Sequence, residues 1–295
     1  MTTAATGRLA GRHLAILGLG YAAQALARLA MAEGARVSGT TRDADKAARL
    51  RAAGIAVLPT EADELYPDAL ADVTDLLVSV PPVSDGCPAL AMAEPELAPA
   101  RRLRWIGYFS STAVYGDCGG DWIDESRAPA PRSGDAEARL LAEEAWREVA
   151  RAHGAAFDIL RIAGIYGPGR DRLAGLRAGT ARVIDKPGQV FNRIHRDDIA
   201  GATLAAMLSP GGERLTNLSD GHPCSSVEMM RGLAAMLGLP APAVTPWDPA
   251  ALPPGMASFY AENRRLRNDR LLALPGFSLR YPDWRAGYRA IIAGE

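Results

Sequence analysis

Lysine, cysteine and long apolar runs are scarce in this chain of 295 residues. Lysine occurs only at Lys46 and Lys186, so nearly all of the 33 basic residues are arginine. Acidic residues almost balance them, and the net charge of −1 gives no electrostatic reason to expect a nucleic-acid or membrane partner. No stretch approaches the roughly 20 apolar residues of a membrane span, and positions 1–12 do not resemble a signal peptide. We therefore expect a cytoplasmic protein.

The three cysteines, Cys87, Cys118 and Cys224, are far apart and odd in number. Their spacing fits neither a disulfide framework nor a CxxC metal site, which favours a reducing compartment and predicts no bound metal. The chain is long enough to bury a large core, either as one α/β domain or as a domain with a smaller lobe.

Short apolar runs alternate with helical patterns along the first two thirds of the chain, which predicts βα units and a parallel sheet covered on both faces. The predicted strands are residues 13–17, 36–39, 55–58, 75–80, 105–110 and 157–162. Gly34, Gly54 and Gly154 stand where a left-handed residue is expected after a helix. The predicted fold is α/β, a Rossmann-type doubly wound parallel sheet with a small C-terminal substrate-binding lobe.

The character of the sequence changes after Arg161. A Gly/Pro loop at 166–169 precedes a short helix, an extended stretch at 190–194 and a helix over 197–208. Ser225 and Glu228 are typical of a capping box, and a final helix is predicted near Pro282. We expect a flexible N-terminus over 1–11, a dinucleotide-binding core over 12–165, and a segment over 166–295 that completes the core and forms the lobe of one compact unit.

The most informative motif is an apolar run that ends in Gly18-Leu19-Gly20 and passes directly into a helical pattern. A glycine at position 18 permits a tight turn, a glycine at position 20 lets phosphates approach the backbone, and Ala23 allows close packing of helix on strand. The free N–H groups and the positive dipole end of the helix would then face the anion. The motif therefore predicts a site for a dinucleotide pyrophosphate.

The residues after the second predicted strand bear on the choice between NADP and NAD. An NAD site usually has an acidic residue about 20 positions beyond the glycines, where this chain has Thr40, Thr41 and Arg42. A guanidinium and hydroxyl groups suit a 2′-phosphate. Asp43 is the competing candidate, but it stands where a helix N-cap belongs. The sequence thus favours NADP over NAD.

Five segments in order resemble the extended short-chain dehydrogenase/reductase superfamily, in particular its NAD-dependent epimerases and dehydratases and their atypical members. The segments are ILGLGYAAQAL, SVPP, YFSSTAVYGD, LRIAGIYGPGR, and FNRIHRDDIA followed by NLSDGHP. The resemblance implies a bound nicotinamide dinucleotide. The residues that it implies at the pyrophosphate are Gly18, Gly20, Tyr21 and Ala22. Those implied at the adenosine half are Val80 and Pro81. Those implied at the nicotinamide are Ala163, Gly164 and Ile165.

The resemblance also implies that Ser110, Ser111 and Thr112 lie beside the nicotinamide and the substrate, with Ser111 aligned to the hydroxyl that binds the reacting oxygen. Family members use a Tyr followed four residues later by a Lys to move a proton near neutral pH. In this chain the matching helix segment ARLLAE places Asp135 at the Tyr position and Arg139 at the Lys position. The usual proton relay is therefore absent, although Arg139 could still hold a ribose.

Three side chains could substitute for the missing tyrosine. Asp135 is either a carboxylate base or a solvated residue at a helix start. Tyr115 follows Ser111 by four residues and either turns inward as an acid or shapes the loop. His195 titrates near neutrality, but we expect it to pack against the helix that follows, with Asp198 as its neighbour.

The sequence is compatible with two functions. The first is an NAD(P)-dependent oxidoreductase or epimerase with a non-standard acid/base, acting on a small polar or nucleotide-activated carbonyl or alcohol. The second is an inactive NADP(H)-binding sensor or regulatory protein. The candidates for binding an anionic substrate, unless they are merely solvated, are Arg161, Arg170, Arg172 and Arg193. We expect a small-molecule substrate as the partner and a monomer or homodimer as the assembly.

Overall fold

The computed structural model describes residues 7–61, 64–84, 86–251, 257 and 259–294. Its strands, in chain order, are β1 (His13–Leu17), β2 (Arg36–Gly39), β3 (Ala56–Val57), β4 (Thr60–Glu61), β5 (Glu64–Leu65), β6 (Asp75–Val78), β7 (Trp105–Ser111), β8 (Trp122–Ile123), β9 (Ala156–Ile162), β10 (Gly164–Tyr166), β11 (Arg182–Asp185), β12 (Arg193–His195), β13 (Glu213–Leu218), β14 (Ala243–Pro246) and β15 (Arg265–Leu266). Its α-helices are α1 (Tyr21–Ala32), α2 (Ala44–Ala52), α3 (Pro88–Leu97), α4 (Gly134–His153), α5 (Leu173–Arg177), α6 (Arg196–Leu208), α7 (Ser226–Met236), α8 (Asp269–Leu272) and α9 (Trp284–Ala293).

Seven parallel strands form the central sheet, in the order β13-β9-β7-β6-β1-β2-β3. The residues that α1 and α6 bury lie in one apolar core, and those that α3 and α4 bury lie in another. The sheet is therefore covered on both faces, as predicted. The strand order reverses between β1 and β6, and ligands of such sheets bind outside the carboxyl ends of the strands at this switch point.

All six predicted strands are present in the structure. The first two have the predicted bounds, and the strand predicted over 157–162 begins one residue earlier. Gly34, Gly54 and Gly154 all have positive φ values, which confirms them as the residues that end helices. The final helix begins just after Pro282, where the Asp283 carboxylate accepts the N–H of Ala286.

The first strand of the sheet order and the start of the described chain differ from the sequence prediction. Strand β13 was not predicted, although it pairs with β9 along its whole length. Residues 1–6 of the segment expected to be flexible lie outside the described part of the chain. Within residues 7–11, however, Leu9 is completely buried and its N–H donates to the carbonyl of Glu33 at 2.8 Å. This part of the segment belongs to the core.

Several elements that follow β9 form a smaller lobe beside the carboxyl edge of the sheet. Its paired strands are β10 with β12 and β11 with β14. Helices α7 and α9 pack against each other around an apolar cluster that includes Leu233, Trp284 and Tyr288. Among the helices in the described ranges, none has the length and apolar character needed to cross a membrane.

Candidate coenzyme and substrate site

The loop after β1 has the conformation that the glycine motif predicts. Gly18 has a φ of +88°, and its N–H donates to Thr40 Oγ1 at 2.9 Å. A Cβ atom at this position would lie 2.8 Å from Val80 Cγ2 and 3.0 Å from the Val80 nitrogen. The turn therefore passes so close to the end of β6 that only glycine fits without a shift.

The helix that follows presents its N-terminus to the same edge of the sheet. Gly20 is the N-cap of α1, and within the described chain no side chain caps the helix. The nearest atom to a Cβ built on Gly20 would be Ser79 Oγ at 3.8 Å, so the backbone here is open to approach. Unpaired N–H groups at a helix start bind anions, and the backbone at Tyr21 and Ala22 therefore fits a pyrophosphate.

Tyr21 connects the loop after β1 to the lobe. Its hydroxyl donates to the carbonyl of Pro168 at 2.9 Å. The guanidinium of Arg196 lies 4.9 Å from the centre of the tyrosine ring, and that of Arg170 lies 5.9 Å from it. The side chain of Tyr21 therefore contacts the lobe, while its backbone belongs to the predicted phosphate site.

Arg42 lies between β2 and α2, where its side chain is available to a ligand. Asp43 Oδ1 accepts the N–H of Lys46 at 2.8 Å as the N-cap of α2, and this hydrogen bond holds the pKa of the Asp43 carboxyl below its usual value. Arg42 is exposed, and it forms no ion pair or side-chain hydrogen bond with the described residues. Thr41 beside it is half-buried. Asp43 thus has the capping role that the sequence suggested.

The remaining residues predicted to contact the coenzyme follow the ends of neighbouring parallel strands. Val80 and Pro81 come after β6, and the Val80 N–H donates to the carbonyl of Leu17 at 3.1 Å. Ala163 follows β9, and its N–H donates to the carbonyl of Leu218 at 3.0 Å. Because carboxyl ends of parallel strands meet at one edge, these residues and the loop after β1 share that edge.

The three hydroxyl residues at the end of β7 have different environments. The Ser110 hydroxyl is buried and donates to Glu143 Oε1 at 2.5 Å. Ser111 is half-buried, and its Oγ accepts the N–H of Ala113 at 3.2 Å at the start of the short 3₁₀ helix that follows. Thr112 is buried at 8% exposure. Within the described chain the Ser111 hydroxyl proton has no acceptor, so this group is free to donate to a ligand.

The two residues aligned with the family's Tyr and Lys lie in different environments. Asp135 is exposed in the first turn of α4, whose N-cap is Ser133. Arg139 is half-buried, and its Nη1 donates to the carbonyl of Phe109 at 3.0 Å near the end of β7. The guanidinium therefore reaches the predicted nicotinamide edge, whereas the carboxylate lies in solvent.

Tyr115 and His195 both have structural partners. The Tyr115 ring is buried and its hydroxyl donates to Asn217 Oδ1 at 2.8 Å, and burial raises the pKa of the phenol. His195 caps α6, where its Nδ1 accepts the N–H of Asp197 at 3.1 Å. The ring also packs against Tyr166 and Tyr281. These contacts fit the loop-shaping and helix-packing alternatives.

A cavity of about 750 Å³ opens in the lobe, and the residues that line it begin at Gly164, just after β9. Gly164 and Ile165, the predicted nicotinamide contacts, form part of its wall, and so do Arg170, Arg172 and Arg193. Arg161 does not reach it. That side chain is buried in an ion pair with Glu143, with Nη2 and Oε2 2.7 Å apart, so the prediction that it binds an anionic substrate is wrong.

Sequence reasoning missed the partner of Arg161 and most of the cavity wall. Glu143 lies four residues after Arg139, one helical turn further along α4, and this spacing was the available signal for a second inward-facing charge. The aromatic wall residues come from separate parts of the chain and carry no local motif. They are Tyr166, Phe191, Phe259, Tyr260 and Tyr288.

Comparisons with known proteins agree with this geometry. Residues 96–212 match the family described as the NAD dependent epimerase/dehydratase family. Protein YeeZ of Escherichia coli (strain K12) is 33% identical over 247 residues, which cover 78% of this chain and 86% of YeeZ. A conserved protein of unknown function from Silicibacter pomeroyi has a solved structure with 39% identity and a TM-score of 0.88, covering 96% of this chain and 98% of that one.

A more distant solved structure shares the fold alone. The human epimerase family protein SDR39U1 (isoform 2), solved with NADPH, is 16% identical with a TM-score of 0.70. The similarity covers 96% of this chain and all of that one, 100%. The common architecture thus extends through the lobe as well as the sheet.

Proposed function

Because this chain belongs to the NAD-dependent epimerase/dehydratase family, we propose that it binds NADP(H) at the loop after β1 and works as an oxidoreductase or epimerase. Its substrate would be a small polar or nucleotide-activated carbonyl or alcohol held in the cavity of the lobe. The observation that carries the proposal is the position of Gly164 and Ile165. They follow β9 at the coenzyme edge and also line the cavity, so the two ligands would meet there.

The residues at this meeting point suggest how the chain would use a bound coenzyme. The nicotinamide would supply or accept a hydride. Ser111 would donate a hydrogen bond to the reacting oxygen of the substrate, because its hydroxyl proton is free. Arg139 would hold a ribose hydroxyl with the donors that Phe109 does not use, and its permanent charge makes it a binding group rather than a proton shuttle.

Replacing Ser111 with alanine tests the catalytic part of the proposal. We expect kcat with the best substrate from a panel of carbonyl compounds to fall by about 10- to 100-fold, since a hydrogen bond to a developing charge is lost. The dissociation constant of NADPH, followed by fluorescence, is expected to stay the same. Ser126→Ala, which changes an exposed hydroxyl, is the control. Equal turnover of the two variants would remove Ser111 from the mechanism.

Replacing Arg42 with alanine tests the choice of coenzyme. The exposed guanidinium is the group available for a 2′-phosphate, and a charge-assisted hydrogen bond contributes about 1.5–3 kcal/mol. We therefore expect NADPH affinity to fall by about 10- to 100-fold while NADH affinity hardly changes. Titrations of both reduced coenzymes measure this, with Arg49→Ala on the exposed side of α2 as the control. Equal losses for the two coenzymes would reject an NADP preference.

A second function, an NADP(H)-binding sensor without turnover, is favoured by the state of the acid/base candidates. Asp135 is exposed, Tyr115 is bonded to Asn217, and His195 caps a helix. Tight NADPH binding together with no oxidation of NADPH by any member of the carbonyl panel would support this function. Turnover that depends on Ser111 would support the enzyme.

A further inference from the structure

Another cavity, of about 470 Å³, lies between α1, α6 and the segment 275–280 that follows α8. Within the described chain it shares no wall residue with the cavity of the lobe, and none of the residues predicted to contact the coenzyme lines it. Cavities of about 300–1,000 Å³ hold small molecules in proteins. This cavity is therefore large enough for a ligand of its own, apart from the coenzyme and the substrate.

The wall of this cavity is apolar where the two helices meet. Leu204 and Ala205 of α6 are buried, and Leu29 of α1 is 37% exposed. Phe277 is half-buried and belongs to the same wall. A ligand with an apolar body would remove these side chains further from water, which stabilises the bound state.

Gly201 keeps the cavity open on the side of α6. It lies within the helix, where glycine is less stabilising than alanine. A Cβ atom built on it would lie 3.4 Å from Cε2 of Phe277, an ordinary van der Waals contact. A methyl group therefore fits at this position, whereas a longer side chain would extend into the cavity.

The opening of this cavity carries positive charge. Arg28 is exposed on α1, and among the residues that the structure describes no acceptor binds its guanidinium. Arg8 and Arg280 are also exposed in the wall, and Arg8 forms an ion pair with Glu33. The charge of Arg28 is therefore available to a ligand.

The two carboxylates of the wall are already engaged. Asp197 Oδ1 accepts a hydrogen bond from Arg196 Nε at 3.0 Å. Asp198 is 2% exposed, and its carboxylate accepts the N–H of Arg280 at 2.7 Å and that of Tyr281 at 3.1 Å. Because these groups have partners while Arg28 has none in the described chain, the cavity suits an anion better than a cation.

We propose that this cavity binds a small amphipathic anion, namely a carboxylate on an aliphatic body of the size of a medium-chain fatty acid. The guanidinium of Arg28 matches the two oxygens of a carboxylate. The aliphatic body would lie against Leu29, Leu204 and Phe277. Such a site lies outside the coenzyme and substrate sites of the proposed function and does not depend on them.

Calorimetry on the full chain tests the class of ligand. The probes are octanoate, octylammonium, which has the same tail and the opposite charge, and acetate, which has the charge without the tail. We expect octanoate to bind, and the other two probes to bind at least about tenfold more weakly. Octylammonium or acetate binding as tightly as octanoate would overturn the proposal, and so would a failure of octanoate to bind.

Replacing Gly201 with leucine tests the place of binding. The leucine side chain would occupy the cavity, so we expect octanoate affinity to fall by at least about tenfold. Gly134→Leu is the matched control, because it also lies in a helix and no neighbouring atom is within 4 Å of a Cβ built there. Unchanged octanoate affinity in a folded Gly201→Leu variant would show that octanoate binds elsewhere, contrary to the proposal.

Replacing Arg28 with glutamine tests the partner of the carboxylate. Because Arg28 is exposed, this variant should fold even if Gly201→Leu does not. We expect octanoate affinity to fall by about 3- to 10-fold, and added salt to weaken octanoate binding less than it does in the parent. Arg49→Gln, on the exposed side of α2, is the control and should bind octanoate like the parent. Equal octanoate affinities in these two variants would overturn the proposal.

Saturation with NADPH separates this site from the coenzyme site. Since the wall contains no predicted coenzyme contact among the described residues, octanoate affinity should be the same with and without NADPH. Mutually exclusive binding of the two ligands would place octanoate in the coenzyme site and contradict the proposal. A protein that binds octanoate but not NADPH would keep the amphipathic-anion site and contradict the proposed function instead.

Discussion

Replacing Glu143 with glutamine is expected to lower the free energy of unfolding by about 3–5 kcal/mol. The carboxylate accepts hydrogen bonds from Arg161 Nε at 3.0 Å, from Arg161 Nη2 at 2.7 Å and from the hydroxyl of Ser110. The side chains of the ion pair are only 4% and 2% exposed. Glutamine has the same shape but leaves the buried guanidinium without a counter-charge. Urea denaturation followed by circular dichroism measures the loss.

Two further variants show whether the lost charge is responsible. Glu144→Gln changes the next residue of α4, whose pair with Arg147 is exposed, and we expect it to cost no more than about 1 kcal/mol. Combining Glu143→Gln with Arg161→Met removes both buried charges and should recover most of the stability, because a buried pair is often replaceable by apolar groups. A double variant as unstable as the single one would contradict this account.

Replacing Gly18 with alanine is expected to lower NADPH affinity by about 10- to 100-fold, because backbone hydrogen bonds to the charged pyrophosphate, each contributing about 1.5–3 kcal/mol, would be lost. The φ of +88° is strained for alanine, and the new Cβ would lie 2.8 Å from Val80 Cγ2. The loop must therefore move away from the end of β6. Fluorescence titration with NADPH gives the affinity, and thermal unfolding confirms that the variant folds.

Gly34 offers a matched control for this substitution. Its φ is +87°, almost the same as that of Gly18, but the nearest atoms to a Cβ built there are 3.6 Å away. Gly34→Ala should therefore cost about 1–2 kcal/mol of stability for the left-handed conformation and leave NADPH affinity unchanged. Equal NADPH affinities in the two alanine variants would show that the turn after β1 does not hold the coenzyme.

The central sheet was largely predictable because its buried parallel strands are short apolar runs bounded by glycine. β1, with the sequence HLAIL before Gly18, is an example, and it has the predicted bounds. β13 lacks this signal because its sequence is ERLTNL, in which Thr216 and Asn217 are buried polar residues. Asn217 is accommodated by Tyr115 and by a carboxylate oxygen of Glu125, which come from a distant part of the chain. Local periodicity cannot reveal a strand that depends on such partners.

The candidate site likewise has a part that the sequence predicts and a part that it does not. The loop after β1 and the hydroxyls after β7 are contiguous segments, and their placement at one sheet edge follows from parallel topology. The roles of the arginines could not be inferred from composition, because Arg161 and Arg193 are both buried and differ only in what lies beside them. Glu143 neutralises the first, while the second borders a cavity. That difference arises from contacts between residues far apart in sequence.

The pairing of β13 with β9 joins an early and a late part of the chain in one sheet. Six residue pairs join these strands, from Glu213 with Phe157 to Leu218 with Ile162. Part of the lobe, including β10, β11 and β12, lies between them along the chain, and the rest follows β13, so the lobe is interleaved with the sheet rather than appended to it. A fragment ending near residue 165 would expose the bare edge of β9 and invite aggregation. A single proteolytic nick in an exposed lobe loop between β9 and β13 would instead leave two pieces that the β9–β13 ladder and the packing of α6 on α1 still hold together.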